Sequence, residues 1–197
     1  MPMKILAISG STRQKSTNTA LLMAMKEFAP GGAEIQVFHR LDLLPVFSPD
    51  SEGEKTPPAV IRFLQLVSSA DGIVISSPEY IRAIPGGLKN AIDWMVSRFE
   101  VIGKPIVLAH ASHRGDDMLA SLRLVLSTVS DGFLKDVFMR IPLIGQSRKE
   151  VQALLHLPEY QLQITDFLSR FLAAIDQKRT LEKEAAPSVP ADHILGV

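Results

Sequence analysis

The 197-residue chain contains no cysteine, one Trp and two Tyr, and its 21 basic side chains are matched by 21 acidic ones. Without thiols there is no disulfide, no thiolate nucleophile, no thiolate metal site and no iron–sulfur ligation. That absence fits a reducing, cytoplasmic setting. Zero net charge leaves no basic surplus for a nucleic-acid backbone or an anionic membrane surface. No run of about 18 apolar residues occurs, so no membrane-spanning helix is expected. Met1-Pro2-Met3-Lys4 leads directly into a short strand-like segment, not into the long apolar region of a signal peptide. His39, His110, His156 and His193 share no ligand spacing, so no metal site is expected. Neither G-x-G-x-x-G nor a loop ending in G-K-[ST] is present, which removes the two glycine-based loops for diphosphates and triphosphates.

What remains is ordinary globular material: hydrophobic residues make up 46% of the chain, enough for the core of one sizeable domain. Short apolar runs alternate with amphipathic stretches. Met3–Ser9, Ala33–Phe38, Gly72–Ser76, Ile106–Ala111 and Phe133–Met139 read as strands. Ser16 to about Phe28, Ala59–Ser69, Gly86 to about Phe99, Asp117 to about Val129 and Pro158 to about Gln177 read as helices. Arg40–Thr56, with its scattered Asp, Pro, Ser and Gly, reads as a long loop, and Ile141–Leu157 fits no single element. Strands that are apolar on both faces and alternate with helices predict a parallel sheet covered on both sides. The expectation is one α/β domain over residues 1–178, a doubly wound, flavodoxin-like five-stranded sheet of order 2-1-3-4-5, followed by a flexible tail over 179–197. Ligands of such sheets sit at the carboxyl ends of the strands. The loops after strands one, three and four, Ser9–Lys15, Ser77–Pro85 and Ser112–Asp116, therefore belong to one rim.

The first of those loops carries the most chemistry. Ser9-Gly10-Ser11-Thr12-Arg13-Gln14-Lys15-Ser16-Thr17-Asn18 joins a buried strand to an amphipathic helix. The unpaired N–H groups and positive dipole end of that helix make an anion site. Ser11, Thr12, Ser16 and Thr17 can donate hydroxyl hydrogen bonds, and Arg13 can pair with phosphate oxygens through two N–H groups. One Gly among several hydroxyls suits a terminal monophosphate held by side chains. The competing reading is a polar turn in which Ser16 or Thr17 only caps the helix.

Gly10, Ser11, Arg13, Ser16 and Asn18 match a G-S-x-R-x-x-S-x-N pattern. Pro78-Glu79-Tyr80, followed by Pro85-Gly86 and Leu88-Lys89-Asn90-Ala91-Ile92-Asp93-Trp94, matches a second one. Together they resemble the NADPH-dependent FMN reductase family of flavodoxin-like flavoproteins, over Met3 to about Leu134. The resemblance implies an oxidoreductase that binds FMN and passes a hydride from NADPH or NADH to a second acceptor: a flavin, a quinone, an azo dye or a metal oxyanion. It implies a cofactor site at Ser11, Arg13, Ser16, Thr17, Asn18, Pro78, Glu79, Tyr80, Ile81, Ser112 and His113. Pro78 and Tyr80 would supply apolar surface, and the N–H groups around Glu79 and Tyr80 would supply donors. No protein nucleophile is expected, because the cofactor carries the chemistry. Glu79 also reads as a plain solvated carboxylate, and His113-Arg114 as a polar loop. Where the family has Asn-Gly after the Tyr, this chain has Ile81-Arg82, so Arg82, with Arg114, is expected to narrow or charge the substrate's path. A homodimer or homotetramer is implied; Trp94 and Leu124 lie off the apparent core stripes and are candidates to face a partner, with partial burial against its own helix neighbours the competing reading for Trp94. The sequence leaves open a flavin-binding protein with little reductase activity and a phosphate-ligand domain that holds no flavin.

Overall fold

A computed structural model describes residues 2–96 and 99–185 of the chain. Five parallel strands, β1 (Met3–Ser9), β2 (Ala33–Phe38), β3 (Gly72–Ser76), β4 (Ile106–His110) and β5 (Phe133–Arg140), form one sheet in the order β2-β1-β3-β4-β5. This is the expected flavodoxin-like arrangement. Among the described residues, six helices pack on it: α1 (Thr17–Glu27), α2 (Pro58–Ser69), α3 (Gly86–Val96), α4 (Asp116–Val129), α5 (Arg148–Leu155) and α6 (Pro158–Ala185).

Side-chain alternation along the strands divides the core in two. Leu6 and Ile8 of β1 face α2, α3 and α4, meeting Phe63, Trp94 and Met118. Ile5 and Ala7 face α1, α5 and α6, meeting Met25, Phe167 and Phe171. Both faces are dry, which is why the strands read as unbroken apolar runs rather than as alternating ones. Each large side chain buried here contributes about 1.5–3 kcal/mol.

Three expectations need correction. The segment 40–56 is not featureless: it holds three short 3₁₀ turns and crosses over α3. Asn90 accepts from the Phe47 N–H (2.8 Å) and donates to the Pro45 carbonyl (3.0 Å), which also receives the Trp94 indole N–H (2.8 Å). Trp94, expected to face a partner, is therefore fully buried, with Phe47 packed edge-on against it. Asn90 and Trp94, prominent in the second motif, hold the scaffold together. The third correction concerns the C-terminal side. The ambiguous stretch contains α5, started by a capping box in which Ser147 and Glu150 bond reciprocally (2.6 and 3.3 Å). Helix α6 runs on through 179–185, which the sequence reading assigned to the tail. The rest of that tail, 186–197, including His193, lies outside the described residues.

Helix α5 is tied to α1 by one titratable contact. His156 points Nδ1 at the Gln152 carbonyl (2.8 Å) and Nε2 at the Glu27 carboxylate (3.1 Å), edge-on to Phe28. The Gln152 carbonyl, and then Glu27, raise its pKa above the ordinary imidazole value. A raised folded pKa stabilises the fold below the unfolded value of about 6.5 and loses that effect as pH rises through the folded pKa. Thermal melts of wild type and His156→Gln are thus expected to differ most at pH 5–6, wild type being higher, and to draw together as pH rises above the folded pKa. A difference that grows with pH would contradict this reading of the contact.

Candidate functional site

At the carboxyl ends of the strands, the chain leaves β1 and β3 toward opposite faces of the sheet and opens a crevice. A cavity of about 470 Å³ lies there, within the range of sites that take one drug-sized ligand. Four loops line it. The β1–α1 loop contributes Ser11, Arg13, Lys15, Ser16, Thr17 and Asn18; the β3–α3 loop, Pro78, Glu79 and Tyr80; the β4–α4 loop, Ala111, Ser112, Arg114 and Gly115; the β5–α5 loop, Ile144, Gly145 and Gln146.

The β1–α1 loop is braced from below. Ser9 and Thr19 share a hydroxyl hydrogen bond (2.8 Å), the Ser11 hydroxyl accepts from the Arg13 N–H (3.2 Å), and Ser16 caps α1 by accepting from Thr19 N–H (3.3 Å). Asn18 is buried, and its carbonyl oxygen accepts from Ser76 of β3 (2.9 Å), tying the helix start to the neighbouring strand. Gly10 is required by proximity: a Cβ there would lie 2.5 Å from the Ser77 hydroxyl oxygen. The first turn of α1 carries no acidic residue. Arg13 is exposed, and the described residues offer its guanidinium no carboxylate. A positive helix end, several hydroxyls and an uncommitted Arg converge on the cavity, as an anion site needs.

The β3–α3 and β4–α4 loops are locked to each other. The Glu79 carboxylate accepts from the Met118 N–H (3.1 Å), the third amide of α4, and caps a helix whose own N-cap is Gly115. Glu79 is thereby a bracing residue rather than a free carboxylate. His110 is buried at the end of β4, with Nδ1 3.1 Å from the Ser77 carbonyl and Nε2 2.5 Å from the Arg114 carbonyl. It bridges the β3 and β4 loops. Burial pushes its pKa below the ordinary value, against the Arg114 and Ser77 carbonyls, which favour the charged ring; in the neutral form only one of the two carbonyls receives an N–H. Gly115 has φ 102°, and a Cβ there would come within 2.9 Å of His110 Nε2.

Tyr80-Ile81-Arg82-Ala83 is a tight turn closed by two backbone bonds between Tyr80 and Ala83 (3.1 and 3.0 Å). Ile81 (φ 50°) and Arg82 (φ 59°) are both left-handed, as a type I′ turn requires. The Tyr80 N–H is consumed by this turn and is not the free donor it was expected to be. Ile81 is 99% exposed, and the Arg82 guanidinium turns to the Asp117 carboxylate (2.5 Å) at the start of α4. Ile81, Arg82 and His113 lie outside the cavity lining, whereas Arg114, Ser112, Pro78 and Tyr80 lie in it. Arg82, paired with Asp117, does not line the cavity.

Sequence reasoning missed His110, Lys15 and the β5–α5 loop. The loop had a signal, since the rule that gathered the other loops applies equally to the fifth strand. His110 had none, because its two carbonyl partners come from loops 33 residues before it and 4 after it. Among the described residues, no helix is long and apolar enough to cross a membrane, and no cluster of three metal-ligating side chains occurs.

A family model described as NADPH-dependent FMN reductase matches residues 3–139. A quinone reductase of Escherichia coli (strain K12) is 33% identical over 114 residues, 56% of this chain and 60% of that one. An NAD(P)H-dependent FMN reductase of Pseudomonas aeruginosa is 37% identical over 111 residues, 55% and 60% of the two chains. The matched part of the chain thus spans about three fifths of each relative's length. In structure, the chain is similar to a flavoenzyme NAD(P)H:(acceptor) oxidoreductase from Paracoccus denitrificans, with a TM-score of 0.69 and 22% identity over 89% of this chain and 98% of that one, a likeness of fold.

Proposed function

This chain belongs to the NADPH-dependent FMN reductase family, and from that premise we propose that it is an FMN-dependent oxidoreductase that draws a hydride from NAD(P)H and delivers electrons to a small second acceptor. The observation that carries the reading is the uncommitted Arg13 beside the cap of α1, at the mouth of a cavity sized for one mononucleotide. The residues fit the group. Ser11, Arg13, Ser16 and Thr17 would hold a terminal phosphate, and Pro78, Tyr80, Ala111 and Ile144 give the cavity its apolar walls. FMN supplies the hydride chemistry when bound. The protein binds and orients it. Glu79, His110 and the Arg82–Asp117 pair hold the β3–α3 and β4–α4 loops in register, so that those walls need little reorganisation on binding. Quinones and flavins are the acceptors we propose, following the names of the relatives.

Heat release of the ligand from flavin-loaded protein, followed by chromatography, is expected to give FMN. Recovery of FAD, or failure to take up any flavin, would contradict the assignment. The 470 Å³ cavity and the absence of a glycine fingerprint for an adenosine half both favour the shorter cofactor.

A cytoplasmic homodimer or homotetramer forms part of the proposal, as does a single domain bearing the site. Trp94 no longer supports the oligomer. Leu124 on α4 (72% exposed) and Val96 on α3 (60% exposed) do. Light scattering at micromolar concentration is expected to give a multiple of 21.6 kDa; the monomer mass would remove Leu124 and Val96 as interface residues.

A further inference from the structure

His110 joins two walls of the cavity through both of its ring nitrogens. It is buried between Ser77, which opens the β3–α3 loop, and Arg114 of the β4–α4 loop. Pro78, Glu79 and Tyr80, directly after Ser77, line the cavity, as do Arg114 and Gly115. Among the described residues, neither the Ser77 nor the Arg114 carbonyl receives another hydrogen bond.

Two carbonyls facing one ring leave it short of donors. A neutral imidazole has one N–H and one lone pair, whereas an imidazolium has two N–H groups. The 2.5 Å separation of Nε2 from the Arg114 oxygen is that of a hydrogen bond, so it takes the N–H of the neutral ring. Nδ1 then turns a lone pair to the Ser77 oxygen at 3.1 Å, and the β3–α3 loop is unheld at that point. A proton on Nδ1 replaces this repulsion by a second donated bond. Burial, the largest effect, keeps the pKa below the ordinary value of about 6.5. The charges packed around the ring oppose one another. Arg140 at the end of β5 disfavours the proton, Asp116 at the start of α4 favours it, and the two are paired (2.5 Å). Glu79 of the β3–α3 loop is held by the Met118 N–H.

We infer that His110 is a proton-operated clasp on the flavin cavity: the neutral ring holds the β4–α4 loop alone, the protonated ring holds both loops, and the cavity takes flavin more tightly in the second state. The inference rests on the proposed reading of this cavity as the flavin site. Walls already held in place need less ordering when the ligand arrives. His110 acts through the loops and is thus a positioning residue. By reciprocity, flavin in the cavity strengthens proton binding to the ring by the same factor. The lowered pKa means that the empty protein loses stability through His110 as pH falls below about 6.5, and bound flavin restores part of it.

Riboflavin is the probe, because it lacks the phosphate whose own titration would overlap that of the ring. Fluorescence titration at constant ionic strength is expected to give binding about threefold to fivefold tighter near about pH 5.5 than near about pH 7.5. His110→Gln sets an amide N–H where Nε2 lay, to meet the Arg114 carbonyl, and has nothing to titrate. Its riboflavin affinity is expected to be the same at both pH values, with His39, His113 and His156 still in place. In wild type, nitrogen NMR of the histidine rings reads the clasp without a substitution. The neutral His110 ring is expected to carry its proton on Nε2, and its pKa to rise when riboflavin is added. Wild-type affinity that is flat with pH, a His110→Gln protein that keeps the wild-type pH dependence, a neutral ring protonated on Nδ1, or a His110 pKa unmoved by riboflavin overturns the inference while the flavin reading stands. A chain that takes up neither riboflavin nor FMN overturns both.

Discussion

Replacing Arg13 by Ala is expected to weaken FMN binding roughly tenfold to a hundredfold while leaving riboflavin binding unchanged. A hydrogen bond to a charged group contributes about 1.5–3 kcal/mol, and Arg13 is free to make one, because the described residues hold no carboxylate for it. The loop does not depend on the guanidinium for its shape. Its bracing comes from Ser9, Ser11, Ser16 and Asn18, and through the Arg13 backbone N–H, which Ala retains. Riboflavin lacks the phosphate, so it separates a phosphate contact from a folding effect. Fluorescence titration of both ligands against both proteins makes the comparison. Equal losses for FMN and riboflavin would mean that Arg13 shapes the site rather than binding the phosphate.

Ile81→Asn is expected to stabilise the protein by about 1 kcal/mol, which raises the melting temperature by about 2–4 °C in a chain of this size. An L-residue in the left-handed region costs about 1–2 kcal/mol, and a β-branched one sits there worst, whereas Asn tolerates it. The exchange removes little packing, since Ile81 is 99% exposed. The turn's two backbone bonds and the Glu79 cap on α4 do not involve its side chain. FMN affinity should stay within about tenfold, or 1.4 kcal/mol, because Ile81 lies outside the cavity lining. Calorimetric melting of the two proteins decides it. A lower melting temperature for the variant would show that Ile81 is packed in solution, against a second subunit.

The same turn illustrates where sequence reading stops. Asn-Gly is the usual signal of a type I′ turn, and Ile81-Arg82 carries no trace of it. The left-handed pair is imposed by its surroundings: the Tyr80–Ala83 bonds, and the Arg82–Asp117 pair reaching across 35 residues. Trp94 is a parallel case. The sequence put it off the helix stripe, yet it is buried with Leu88, Ile92 and Met95, and its cover comes from Phe47 and Pro45 in a segment without periodicity. No local pattern announces that packing. The tail boundary near 178 was misplaced for another reason. Charged residues such as Lys178 and Arg179 are good helix formers, and Arg179 pairs with Asp71 (2.5 Å) just before β3. By contrast, the sheet order was legible because strands buried on both faces leave continuous apolar runs between turn signals. That the β1–α1 loop lines the cavity was legible because all its parts lie within ten consecutive residues. Glu79 and His110 act across loops, and only the assembled rim reveals them.

The central claim is that this chain binds FMN and reduces it with NAD(P)H. Its most direct test is the visible spectrum of the FMN-loaded protein under anaerobic conditions before and after NADPH is added. The account predicts a yellow protein whose flavin band bleaches on NADPH and recovers when a quinone follows. A yellow protein that NADPH leaves unbleached would be a flavin-binding protein and no reductase, and that result would contradict the account.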